Sequence, residues 1–220
     1  MQQKERIGLK RLFTYDSPLM RVLTFVADIF LTNLVFLVCC IPVITIGPAQ
    51  LGLYTAMRVL ADPEDDSSCL KAFFRGLRNG FGTICAAWMV MLVFDTIAGY
   101  TFLMAYSYQE SGLFIHWVFP LAALAVFLIL HSLLPLFFSQ FGCGFLHLLR
   151  NCWIVMISHP LRTILTASLT WAPLVLFLLV PGFFVRISPL FFTVYYSGSF
   201  FVAAVAMKKP FQALIDRVCQ

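Results

Sequence analysis

Two carboxylates, Asp28 and Asp95, fall inside long apolar runs. A carboxylate in hydrocarbon is costly, so it either ties helices together or lines a path for an ion or polar solute. Thr24, Asp28 and Thr32 follow one another at i, i+4 and i+8 and share one helix face, with Asn33 about 100° further round. This stripe is expected to face the inside of a helix bundle. Asp95 has Thr96 beside it and Gly99 one turn on. The histidines are His116, His131, His147 and His159, with His131 in the middle of a run. None stands at i, i+4 with a carboxylate between, as a zinc-binding helix requires, so no metal, haem or other cofactor is expected. The seven cysteines form no C-x-x-C pair and read as small buried hydrophobes. There is no phosphate-binding G-x-x-x-x-G-K-[ST] loop and no G-x-S-x-G elbow. Ser17, Ser132 and Ser139 have no convincing base nearby in the sequence. These residues assemble no catalytic site, and a non-enzymatic protein is expected.

The elements that must position them are membrane spans. Of 220 residues, 61% are apolar and only 11% charged, against about 25% charged in soluble domains. Mean hydropathy is +0.91. One soluble core of this size cannot hide so much apolar surface, so the lipid bilayer is the expected solvent. The net charge of +5 is not a nucleic-acid signature, because the cations sit in short segments between apolar runs. Trp88, Trp117, Trp153 and Trp171, with Tyr106 and Tyr108, read as interface anchors near span ends.

A span needs about 20 apolar residues. Clear candidates are 22–41, 81–105, 117–139, 163–185 and 189–207, and 42–61 is the doubtful sixth. It opens on "CCIPVITIGPAQLG", where prolines and glycines interrupt an oily stretch. Cationic residues collect on the cytoplasmic side of membrane proteins. If 42–61 crosses, all 15 lysines and arginines except Arg186 lie on one side. If it does not, they alternate between sides. The expected architecture is therefore an all-α polytopic bundle: one transmembrane domain over 1–220, about six spans, a broken second span and both termini cytoplasmic. In that second span, 42–47 is expected to be extended and 48–61 helical. Extended backbone at that depth is tolerated only beside protein or water, as in the broken helices of transporters. The plain alternative is a tight hairpin near the outer headgroups. Asp28, Thr32, Asn33, Thr45, Gly47 and Asp95 form the candidate intramembrane polar site.

Two cytoplasmic segments, 65–80 and 145–160, look amphipathic. The first alternates Lys71, Arg75 and Arg78 with Leu70, Phe73, Phe74 and Leu77, the pattern of an interfacial helix. Such helices anchor at headgroups or dock a cytoplasmic partner; Lys71, Phe74, Arg75, Arg78 and Arg150 are the candidate docking residues.

The stretch "DSPLMRVLTFVADIFLTNLVFLVCCIPVITIGPAQLGLYTAMRVL" resembles the YesL family of bacterial multi-pass membrane proteins. Asp28, Asn33, Pro42, Thr45-Ile46-Gly47, Ala49, Leu53-Tyr54, Phe73-Phe74 and Arg78-Asn79 carry the resemblance. The later "LPLFFSQF…LLRNCWIVMISHPLRTIL" is similar with a looser motif. The chain departs from the family's pattern at Cys39-Cys40, where Trp or Leu is expected. The resemblance implies a plasma-membrane protein linked to carbohydrate uptake, an accessory or regulatory subunit of a sugar ABC importer. Its partners would be the lipid bilayer and the importer's permease or ATPase subunits. It implies no catalytic residue. The alternative is a small transporter or channel, a homo-oligomer, using Asp28 and Asp95.

Overall fold

The computed structural model describes residues 18–62, 65, 67–107, 115–141, 144–180, 182 and 194–218. The basic N-terminal segment, Tyr108, Cys143, Arg186 and Cys219 lie outside the described residues, as do the side chains of Tyr106, His116 and Trp117. Among the described residues every regular element is helical: α1 (Pro18–Cys39), a 3-10 turn (Val43–Thr45), α2 (Ile46–Leu60), α3 (Cys69–Arg78), α4 (Phe81–Ser107), α5 (Ile115–Phe141), α6 (Phe145–Ser158), α7 (Pro160–Leu179) and α8 (Tyr196–Val218).

Three stretches are long and apolar enough to cross a membrane: Met20–Cys39, Phe81–Met104 and Leu121–Ser139. Leu149–Ser158 and Pro160–Pro173, bent by 114°, add a fourth if they count as one broken span. Val22, Leu23, Val26 and Val38 of α1 and Val93, Ile97 and Leu103 of α4 are exposed. An outward apolar face on long helices suits lipid rather than water. The chain is a helical membrane bundle. The expected span 163–185 begins earlier, at Pro160. The expected span 189–207 overlaps α8, which continues helical to Val218.

The second expected span takes a different form. Residues 42–47 are not extended. Pro42 alone has extended dihedrals, Thr45 and Ile46 are right-handed helical, and α2 begins at Ile46 rather than Pro48. The reason is backbone satisfaction. A 3-10 turn running into an α-helix supplies its own hydrogen bonds, which an extended strand at that depth could not. The Thr45 N–H donates to the Pro42 carbonyl at 3.0 Å. The Thr45 hydroxyl donates to the carbonyls of Cys39 and Pro42, tying the turn to the end of α1. Pro48 falls in the first helical turn, where no N–H partner is missed.

Contacts along the helices give the direction of the chain. Phe25 meets Phe201 at 5.4 Å and Phe36 meets Tyr196 at 5.6 Å, so α1 and α8 run antiparallel. α2 follows α1 after a short connection and packs against it, and a short connection between packed helices makes them antiparallel, so α2 runs against α1 and with α8. The polypeptide therefore turns back at 40–45. With 15 residues, α2 reaches ~22 Å at ~1.5 Å per residue. The exposed tip residues Ile41, Val43 and Ile44 are apolar.

α2 is the hub. It packs against α1, α3, α4, α5 and α8, and ten of its residues are buried. A helix apolar on all sides is stable only when enclosed. The tightest contact is with α3. A β-carbon at Gly52 would lie 2.8 Å from the Phe73 carbonyl oxygen, and one at Gly76 would lie 2.9 Å from the Gly52 Cα. Small residues at the crossing let the backbones touch.

That contact orients α3. Cys69, Ala72, Phe73 and Gly76 are buried against the bundle, whereas Lys71, Phe74, Arg75 and Arg78 are exposed. Phe74 is thus not on the buried face; at ~100° per residue it stands a quarter-turn from Phe73, toward the cations. The helix is also shorter than 65–80. Before it, Asp65 accepts the Ser67 N–H at 3.0 Å; hydrogen bonds from the Ser67 hydroxyl first and its N–H second hold the carboxyl below the usual range. Burial pushes the Cys69 thiol up to about 11. α6 departs further from expectation. Cys152 and Val155 are buried, but Leu146, Trp153 and Ile157 are exposed, so its outer face is largely apolar.

Replacing Gly76 by Ala should destabilise the bundle by about 2 kcal/mol through overpacking, whereas Gly99→Ala, where a β-carbon meets nothing within 4 Å, should not. Thermal unfolding in detergent distinguishes the two. Equal midpoints would remove the glycine crossing from the account.

Candidate functional site

α4 and α5 lie side by side, with Phe94 stacked on Phe127 at 5.2 Å. One helical turn from this stack, His131 Nδ1 and Asp95 Oδ2 are 2.6 Å apart. Their side chains are 5% and 13% exposed. Such a bond is short enough to be charge-assisted. With Asp95 ionised, the His131 Nδ1–H donates to its carboxylate. Two indoles flank the imidazole edge-on: Trp88 at 5.6 Å and Trp171 at 5.5 Å between ring centres. Trp171 is held in place, because its Nε1–H donates to Ser132 Oγ at 2.9 Å and the Leu128 carbonyl at 3.0 Å. Trp88 is wedged from behind by α2, where a β-carbon at Gly47 would lie 2.6 Å from the Trp88 Cβ. Among the described residues, Trp88 Nε1 and Asp95 Oδ1 are buried without a hydrogen-bond partner. A buried donor and a buried acceptor left over beside one ion-pairing group are costly. The arrangement is a buried, aromatic-walled acid–base pair joined by one short hydrogen bond.

The candidate polar site divides into separate places. Asp95 and Gly47 join through Trp88 and His131. Asn33, fully buried, belongs elsewhere: its Oδ1 accepts from the Ser197 N–H and the Ser197 hydroxyl, both at 3.1 Å, tying α1 to the first turn of α8. Thr32 is buried on α1 as expected, Asp28 is half-buried and Thr24 is exposed, so the stripe faces inward only at its upper end. Asp28 is near enough to act electrostatically on Cys69 at the start of α3, and it does not join Asp95. Thr45 holds the turn.

Trp88 and Trp171 are not interface anchors: they enclose His131. The Asp95–His131 contact spans 36 positions and has no local spacing rule to reveal it. The one signal was that both residues sit mid-run. Among the described residues no group of three His, Cys, Asp or Glu is placed to hold a metal ion. Lys71, Phe74, Arg75 and Arg78 come together with Asn79 around one shallow depression on α3. Arg150, exposed on α6, is not among the residues lining it.

The stretch holding most of these residues also carries the one family signal. Residues 29–102 match the family described as "Protein of unknown function, DUF624". The DUF624 match runs from the middle of α1 through α2 and α3 to most of α4. It takes in Asn33, Gly47, Gly52, Gly76, Trp88 and Asp95, and stops short of His131. No curated protein and no solved structure matches the chain.

Removing one member of a buried pair strands the other. His131→Leu should cost about 3 kcal/mol, and the double replacement Asp95→Leu with His131→Leu should recover a large part of that loss. A double-mutant cycle read by thermal unfolding measures it. Additive single effects would show that the pair is not coupled.

Proposed function

We propose that this chain is a non-enzymatic, multi-pass plasma-membrane protein of YesL type that serves carbohydrate uptake as an accessory or regulatory subunit of a sugar ABC importer. The observation that carries the reading is the exposed face of α3. Lys71, Arg75 and Arg78 surround an exposed Phe74, on a helix locked to the core by Gly52 and Gly76. An aromatic residue among cations on a rigid support is the composition of an interface anchor for an acidic protein surface. The DUF624 match, a family that takes in YesL-type membrane proteins, supports the reading. The absence of a phosphate-binding loop in the sequence leaves nucleotide hydrolysis to a partner.

Affinity purification from native membranes should recover importer permease or ATPase subunits with the wild type. Phe74→Ala with Arg75→Glu should lose them. Recovery unchanged by that variant would assign α3 to headgroup anchoring instead, and no importer subunit in any preparation would end the reading.

A second reading, a small oligomeric transporter, is favoured by Asp95 having a buried titratable partner in His131. Asp28 has no comparable arrangement. Proteoliposomes whose flux is abolished by Asp95→Asn and unaffected by Asp28→Asn would favour it over the accessory role.

A further inference from the structure

The cleft between the C-terminal end of α2 and the middle of α8 belongs to neither reading. It has a volume of about 330 Å³. Tyr54 and Phe211 are nearly fully buried and, with Ala204, make an apolar floor. The rim holds two cations from different helices, Arg58 and Lys208, both exposed. Neither makes an ion pair or a hydrogen bond among the described residues. Their backbone positions are fixed, because the neighbouring residues Met57 and Met207 are both fully buried. Two like charges lining one cleft repel each other, and an anion relieves that repulsion. A guanidinium and an ammonium together match a phosphate, one as a planar fork and the other as a point charge. The rim also carries Asp62 and Gln212. A carboxylate and an amide oxygen accept hydrogen bonds and would repel a bare dianion, but they suit hydroxyl groups. Asp65 also acts electrostatically with Arg58 from the loop beyond.

We propose that this cleft binds the phosphate ester of a polyol, with Arg58 and Lys208 on the phosphate and Asp62 and Gln212 on the hydroxyls. Two sources present that chemistry. One is the glycerol-phosphate headgroup of an anionic phospholipid. The other is a soluble sugar or glycerol phosphate. The position favours either, because the cleft lies beside basic residues at one end of the bundle. Arg162 of α7 donates to the Ala206 carbonyl of α8 at 3.3 Å, two residues before Lys208.

The test uses the full chain purified in neutral detergent. Native mass spectrometry reads retained phosphatidylglycerol against phosphatidylcholine, and calorimetry reads glycerol 3-phosphate against inorganic phosphate. The wild type should retain phosphatidylglycerol preferentially, or bind glycerol 3-phosphate, or both; the arm that responds names the source. Arg58→Gln and Lys208→Gln should each weaken binding on the order of tenfold, the worth of a charge-assisted hydrogen bond. Arg21→Gln, exposed on α1 and outside the cleft, should leave it unchanged. Asp62→Ala, which removes the acceptor, should reduce the preference for glycerol 3-phosphate over inorganic phosphate. Both cations are exposed, so their variants should keep the wild-type unfolding midpoint. Binding equal in the wild type and the Arg58→Gln, Lys208→Gln double variant would overturn the proposal, as would no preference in either arm.

Discussion

The rest of the molecule depends on one close approach: α2 touching its neighbours backbone to backbone. At Gly47 the contact is with Trp88, and at Gly52 and Gly76 it is with α3. A short helix in a membrane protein has little reach and cannot gain from the hydrophobic effect against lipid. It is held by packing, and packing is strongest where side chains are smallest. Each glycine contact then fixes something that α2 does not itself carry. Gly47 sets the indole that walls one side of His131. Gly52 sets the rotation of α3 and hence which residues of that helix face outward. The far end of α2 supplies Arg58 to the cleft with α8.

Two polar ties close the bundle around this hub. Asn33 caps the first turn of α8 from α1, satisfying an N–H that helix geometry leaves open. Asp95 and His131 join α4 to α5. The two ties differ in kind. Asn33 is neutral, fully enclosed and engaged with Ser197, which is what a structural tie requires. The Asp95 carboxylate keeps one oxygen without a hydrogen-bond partner among the described residues, and its other oxygen is held by a titratable imidazole.

Much of the architecture was legible in the residues. Apolar run lengths marked α1, α4 and α5, because hydrocarbon thickness imposes a length that composition alone reveals. The distribution of lysine and arginine called for a second crossing after Cys40; the chain does turn back there, but α2, with 15 residues, is not among the stretches long and apolar enough to cross a membrane. What could not be read were contacts between distant positions. His131 meets Asp95, and Ser197 meets Asn33, through packing that no local period encodes. Trp88 and Trp171 misled because tryptophan near a span end is usually an anchor; here both turn inward onto an imidazole. Phe74 was placed on the apolar face by residue type, while its angular position put it among the cations. The extended form expected for 42–47 gave too much weight to proline and glycine and too little to the need of buried backbone to bond to itself.

The reversal of the chain at 40–45 carries the whole account, because the proposed topology, which puts α3, the α2–α8 cleft and the basic end of α7 on one side of the bilayer, requires it. The direct measurement is thiol labelling with a membrane-impermeant maleimide on Arg75→Cys and Lys208→Cys, in intact cells and in inverted vesicles, with the wild type as background. Cys69 contributes little to that background, being buried with its thiol pushed up to about 11. The account predicts that both introduced thiols react in inverted vesicles and neither reacts in intact cells. Modification of one position from outside and the other from inside would contradict it.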